Sequence, residues 1–443
     1  MQQTPSKTRF IPIGLMLFAL FFGAGNLIFP ASMGQVAGAN VWWAVIGFCV
    51  TGVGLPLLSV MAIAYSNSRT LRVMSSRVSP VYGIFYSTIC YLAIGPCFAI
   101  PRTGTVTFEI AIRPFLDAAS VDAALPVFLA VFFAVSLWFA VSPSKLVDRI
   151  GKFLTPLLVL TLIIFIVQSY ITPMGEMPTP GASYATPGKA VIQGVLDGYN
   201  TLDAIAALVF AQLVVLAVND NGVREPGQVT VEVLKSGLIA GVLLALIYIF
   251  IAKVGAESVA AIGLKETGAP ILAESAKIFF GNEGALLLSA MVILACLTTA
   301  IGLISCTATF FHELTGKLSY RAWAVLFTIV SYLIGLFGLK TIIVSTIPVL
   351  MFIYPLCVAL VLLVFAHNSF GGRRCVYVWT IALTFIMAFI NGLETAKVSM
   401  PALEEFLKAW VPLHTYGLGW IAFAVAGFVI GRVQASLTKP SEA

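Results

Sequence analysis

Charge is scarce in this chain. Only 10% of its 443 residues are Asp, Glu, Lys or Arg, against 60% hydrophobic residues. A soluble domain carries about 25% charged residues, so a water-facing surface of ordinary composition is excluded. Histidine is scarcer still: His312, His367 and His414 are the three. All fall at the ends of apolar runs, which leaves no intramembrane imidazole for acid–base or metal chemistry. The seven cysteines (Cys49, Cys90, Cys97, Cys296, Cys306, Cys357, Cys375) lie in or beside apolar segments. They show no CxxC spacing and no Cys/His cluster, which argues against a metal or disulfide framework and for small buried hydrophobes. Asp197, Asp203 and Asp220 do not form the repeated Asp-rich motifs by which a membrane-embedded prenyltransferase holds magnesium, so an enzyme is disfavoured. The stretch "YSNSRTLRVMSSRVSP" (65–80) has no acid, unlike the Asp-Arg loop motif of major-facilitator carriers. No charged ring or filter-like repeat suggests a channel. The net charge of +6 comes from loop lysines and arginines and calls for no nucleic acid.

What is abundant is apolar sequence, with a mean hydropathy of +1.01. A spanning helix needs about 20 apolar residues. Such runs lie near residues 10–38, 40–66, 81–112, 126–142, 147–170, 191–218, 232–254, 284–311, 321–338, 341–366, 375–393 and 416–434. The fold class is therefore an all-α polytopic membrane protein of about twelve transmembrane helices in contact with lipid. The first run follows Lys7 and Arg9 but outlasts a signal-peptide core of about 7–15 residues, so it reads as a retained span. Sixteen of the 25 basic residues fall on the side of the N-terminus; the other nine are Arg102, Arg113, Lys189, Lys253, Lys265, Lys277, Lys340, Lys397 and Lys408. Basic residues favour the cytoplasmic side. The polar tails, residues 1–8 and 435–443, are accordingly expected to be cytoplasmic, flanking a transmembrane domain over 9–434. Residues 171–190 read as an external loop. Residues 269–281 read as a short amphipathic helix on the same side, a lid over an entrance.

Two runs are interrupted. "FFGAGNLIFP" (21–30) puts Gly23, Gly25 and Asn26 in the middle of span 1, ahead of Pro30. Glycine costs about 1 kcal/mol relative to alanine in a helix interior. Asparagine competes for backbone bonds and proline lacks an N–H. Five spans later, "GVLDGYNTLDAIAALVFAQLVVLAV" (194–218) is broken by two acids, an asparagine and a threonine. A single glycine pair would suggest close helix packing. Paired breaks at matching places in two inverted halves point instead to a transporter site, where half-helix N-termini attract a carboxylate and freed carbonyls hold a cation. Asp203 has no lysine or arginine within a helical turn in its own span. It is expected to face the cavity and meet a substrate ammonium or a coupling cation.

"FFGAGNLIFP", "AIGPCFAIPRT" (93–103), "GYNTLDA" (198–204) and "LTTAIGLIS" (297–305) resemble the bacterial branched-chain amino acid:cation symporters, the BrnQ or LIVCS family, across essentially the whole chain. The resemblance implies the LeuT-like fold of the amino acid–polyamine–cation superfamily. That fold has two inverted five-helix repeats (about 10–170 and 191–366), broken helices 1 and 6, and two extra helices (about 375–434). It implies import of leucine, isoleucine and valine across a bacterial cell membrane. The driving force would be sodium, with protons as the alternative, and no cofactor is implied. By the same resemblance a sodium site would comprise the carbonyls of Ala19, Phe22 and Ala295 with the hydroxyls of Thr298 and Thr299. Asn26 would brace the break or add a ligand. Gly23 and Gly25 would offer N–H groups to the substrate carboxylate, and Tyr199, Asn200 and Thr201 would line the opposite wall. Ile94 and Phe98 of span 3, with Ile301 and Ile304 of span 8, would surround the side chain. Two departures stand out. No arginine follows the span 1 break, and Asp203 replaces a small hydroxyl residue. Arg102, toward the outer end of span 3, could replace the missing gate residue, but the preferred reading is an arginine snorkelling to the outer surface.

Overall fold

The computed structural model describes residues 10–141 and 155–438. Among the described residues nine helices are long and apolar enough to cross a membrane; Phe10–Phe21, Val159–Ile171 and Tyr320–Gly335 are shorter apolar helices. One of the nine, Ala24–Tyr65, contains the second half of span 1 and all of span 2, so these helices account for twelve crossings. Span 5 is described from Thr155 to Ile171, and the first part of its expected range lies outside the described residues. The last helix runs Trp420–Leu437, three residues into the segment expected as tail. A short helix, Pro401–Trp410, with only Leu407 buried, was not foreseen between spans 11 and 12.

Span 1 consists of Phe10–Phe21 and Ala24–Ala37. The interruption falls at Phe22–Gly23, while Pro30 lies inside the second helix rather than at the break. Gly23 is extended (φ −132°, ψ −159°), and its N–H donates to Asn26 Oδ1 at 2.9 Å. Span 6 consists of Pro187–Tyr199 and Asp203–Asp220. Between them Leu202 takes a left-handed conformation (φ 70°, ψ 6°), unusual for a branched side chain and held by near-complete burial. A third discontinuity was not foreseen. Span 3 runs Pro80–Leu92, loosens through Ala93–Cys97 with Gly95 outside helical space, and resumes at Ala99–Ala111. Span 8 belongs to Gly268–Thr315, which turns sharply at Gly281 (φ 64°), so the expected amphipathic segment is a separate helix ahead of the span.

Span 1 packs along span 7 (Pro226–Ile262), and span 6 packs along span 2 (Val41–Cys49 continuing to Leu55–Tyr65). That exchange of partners is what a second repeat inverted relative to the first produces. Small residues set the closeness. A Cβ on Gly47 would fall 1.9 Å from the Val191 carbonyl oxygen, and one on Gly194 would fall 2.0 Å from that of Ala44. Gly34 and Gly255 stand in the same relation between spans 1 and 7. Gly47→Ala is therefore expected to destabilise the protein by the upper end of the overpacking range, about 3 kcal/mol, because the obstacle is backbone. Gly188→Ala, whose Cβ meets nothing within 4 Å, is the control. Thermal unfolding of the purified variants checks this, and equal midpoints would refute the contact.

Candidate functional site

The breaks of spans 1 and 6 face each other around a cavity of about 20 Å³, lined by Gly23, Gly25, Asn26, Thr201, Asp203 and Thr299 with Arg102 from span 3. That is room for about one water molecule. Admitting an amino acid requires the surrounding helices to part.

Asp203 begins the second half of span 6 and is 2% exposed. Its carboxylate accepts from the Asn26 amide at 2.5 Å and from the Tyr248 hydroxyl at 2.7 Å. The same Asn26 amide also reaches the Tyr248 oxygen. Asn26 thus ties three spans together. Its oxygen caps the span 1 break, and its nitrogen holds the acid of span 6 and the tyrosine of span 7.

Arg102 is 3% exposed and does not snorkel. The break at Gly95–Phe98 turns the rest of span 3 so that this side chain points inward. Its Nη1 donates to the Asn200 carbonyl at 2.7 Å and its Nη2 to the Thr201 carbonyl at 3.0 Å, two groups freed by the unwinding of span 6. Its Nε is buried with no partner, and its guanidinium lies over Phe29 at 5.2 Å. Gly25 makes the approach possible: a Cβ there would stand 2.7 Å from Nη2. Lys253 is likewise no loop residue; it lies inside span 7, paired with Glu257 at 2.7 Å.

On the other side of Gly23, Thr298 Oγ1 lies 3.1 Å from the Ala19 carbonyl and 2.9 Å from that of Ala295. Thr299 Oγ1 lies 3.1 Å from the Ala295 carbonyl and 3.4 Å from those of Leu20 and Phe22. The structure thus gathers Ala19, Phe22, Ala295, Thr298 and Thr299 into one cluster of uncharged oxygens. Such a donor set suits a hard monovalent cation and not a transition metal.

Of the other expected residues, Thr201 lines the cavity and the rest lie outside its lining. Tyr199 stacks on Tyr354 with ring centroids 4.3 Å apart and is not part of the cavity lining. Asn200 contributes its carbonyl. Thr201 donates to the Gly198 carbonyl at 2.9 Å and accepts from the Asp203 N–H at 3.3 Å. Ile94 and Phe98 do not line the cavity, nor do Ile301 and Ile304, which are buried among protein and not in lipid. Phe21, Ala99, Thr103, Ala206 and Leu303 line it instead. For span 3 the break accounts for the shift from Phe98 to Ala99 and Thr103, because it changes the phase of the helix that follows. A larger depression of about 790 Å³ lies where Arg113, Lys265, Lys277 and Lys340 gather, with Pro270 and Glu274 of the short amphipathic helix in its wall.

Paired broken helices around a polar cavity, inside an inverted repeat, define a transporter of the LeuT fold. Solved structures agree on the fold. The chain superposes on Mhp1, a nucleobase-cation-symport-1 family transporter in a closed conformation with bromovinylhydantoin bound, with a TM-score of 0.59 at 13% identity, covering 100% of this chain and 98% of that one. With MhsT in complex with L-phenylalanine the TM-score is 0.54 at 17% identity, covering 99% of both. Residues 6–438 match the family described as branched-chain amino acid transport protein. The chain is 42% identical over 433 residues to the branched-chain amino acid permease BrnQ of Bacillus subtilis, covering 98% of each. It is 41% identical over 438 residues to BraB of the same organism, covering 99% of this chain and 98% of that one. The protein belongs to the branched-chain amino acid transport family. It is a polytopic membrane transporter, not an enzyme.

Proposed function

We propose that the protein imports leucine, isoleucine and valine across the bacterial cell membrane by alternating access, driven by a cation gradient, sodium in preference to protons. The observation that carries this reading is that one cavity between two broken helices is lined by both a buried guanidinium and a buried carboxylate. A zwitterion needs that complement. In this reading Arg102 and the N–H groups near Gly23 and Gly25 receive the α-carboxylate, and Asp203 receives the ammonium or acts with the coupling ion. The uncharged side chain lies among Phe21, Ala99, Ala206 and Leu303. Both termini are cytoplasmic, and the depression beside the short amphipathic helix is the outer vestibule. Names of relatives support the substrate class, and the uncharged oxygen cluster supports sodium.

The energetics suffice. One sodium ion crossing about 100 mV supplies roughly 2.3 kcal/mol, and a tenfold gradient adds about 1.4 kcal/mol. Together they sustain several-hundredfold accumulation. Labelled isoleucine uptake into proteoliposomes, with sodium and pH gradients imposed separately, tests the proposal. Accumulation driven by the pH gradient alone would overturn the sodium assignment. Replacing both Thr298 and Thr299 by alanine is expected to raise the sodium concentration for half-maximal uptake by at least tenfold. Unchanged sodium activation in a folded double variant would remove these hydroxyls from the ion site.

A further inference from the structure

Away from the central cavity, an apolar groove of about 680 Å³ lies between spans 2, 6, 10, 11 and 12. Leu58, Leu362, Val358, Ile421, Val425 and Phe428 form much of its wall. Along span 12 the groove extends from Trp420 to Phe428. At 1.5 Å per residue that is about 12 Å, close to the half-thickness of roughly 15 Å of a bilayer's hydrocarbon core.

One end of the groove meets a built cluster of arginines. Arg432 follows Phe428 by one turn and lies 5.9 Å from its ring. Its Nη1 donates to the Ser369 carbonyl. Arg373 donates to the Ala435 carbonyl at 2.7 Å, Arg374 to the Val78 carbonyl at 2.9 Å, and Arg77 to the Ser66 carbonyl at 2.8 Å. Arg77 also donates to His367 Nδ1 at 3.1 Å, and His367 adjoins the groove residue Ala366. Every one of these bonds goes to a neutral acceptor. The segments that carry the cluster, 65–80, 366–376 and 429–438, contain no Asp or Glu. The N-terminus of span 11 (Arg374–Thr395) opens into the same cluster and adds its positive dipole end.

We propose that this groove and the arginines at its mouth form a binding site for an anionic phospholipid, one acyl chain lying in the groove and the headgroup phosphate among Arg373, Arg374, Arg432 and Arg77. The charge is what selects the occupant. A second copy of the chain would bring its own arginines against these, whereas a phosphodiester supplies a negative charge that none of the described bonds of these arginines provides. The acyl chain would rest on Tyr199, the last residue before the span 6 break, so the groove reaches the break that faces the central cavity.

The test uses the purified full chain in detergent, titrated with phosphatidylglycerol or with phosphatidylcholine of the same acyl chains. Retained lipid is read by native mass spectrometry, together with the lipid-induced shift in thermal midpoint. Phosphatidylglycerol is expected to be retained at least tenfold better than phosphatidylcholine. Arg373→Gln with Arg432→Gln should abolish that preference. Ala424→Trp, which fills the groove and leaves every arginine bond in place, should abolish retention and serves if the arginine variants fold poorly. Glycerol phosphate alone should give no shift. Equal retention of the two lipids, or undiminished phosphatidylglycerol binding in the folded Ala424→Trp protein, would overturn the site. So would a dimer whose interface closes the groove.

Discussion

Asp203→Asn is expected to reduce concentrative isoleucine uptake by at least 100-fold while leaving the purified protein folded. The substitution is nearly isosteric. An amide oxygen can still accept from Asn26 and from the Tyr248 hydroxyl, which now donate to the carboxylate at 2.5 and 2.7 Å. What it removes is the negative charge in a cavity where water is nearly absent. Removing one partner of a buried charge pair costs about 3–5 kcal/mol, about two to three and a half powers of ten in affinity. The lost partner here would be the substrate ammonium or the coupling ion. Two measurements check the result: proteoliposome uptake under an inward sodium gradient, and a thermal midpoint within a few degrees of the parent. Near-normal accumulation would assign Asp203 to bracing spans 1, 6 and 7 through Asn26 and Tyr248, with no part in ligand binding.

Parts of this site were legible in the sequence because they break a rule the bilayer imposes. Glycine and asparagine inside an apolar run, or an acid after "GYNTL", conflict with a continuous helix in lipid. Such conflicts mark the cavity. The threonine pair was legible only through resemblance, since adjacent threonines in a helix usually bond back to their own turn. Thr298 and Thr299 do bond back to Ala295, and they also reach span 1. For Arg102 the snorkelling reading outweighed the gate reading for want of one local fact. A lone arginine near the end of an apolar run snorkels when its helix is straight. The Gly95–Pro96 pair carried the same breaking grammar as span 1 and showed that the helix is not straight. Tyr248 had no signal, since a tyrosine in "LALIYIFIA" packs or bonds according to what stands opposite. Tyr199 still belongs to the first half of span 6, and the phase of that helix, which carries its ring onto Tyr354, is not readable from the broken motif alone.

Replacing Arg102 is expected to erase discrimination between isoleucine and isoleucine amide. A buried guanidinium at the centre of a membrane protein is costly unless it is paired. Arg102 has only the Asn200 and Thr201 carbonyls for its Nη groups and nothing for Nε. Hydrogen bonds between ionised partners are roughly twice as strong as neutral ones. A substrate carboxylate entering beside Gly25 would therefore displace the carbonyls. That displacement frees the span 6 break from span 3, linking binding to the opening the small cavity requires. Loss of a buried charge-assisted contact of this kind costs about 2–5 kcal/mol, so isoleucine affinity should fall at least about 30-fold in Arg102→Gln. Arg102→Lys should rescue little, because a point charge cannot serve two carbonyls and a carboxylate in one plane. The informative readout is a ratio, the inhibition constant of isoleucine amide over that of isoleucine, from competition against labelled isoleucine. It should be large in the parent protein and approach unity in Arg102→Gln. If both constants rise together and the ratio holds, Arg102 is a latch between spans 3 and 6 that never meets the substrate.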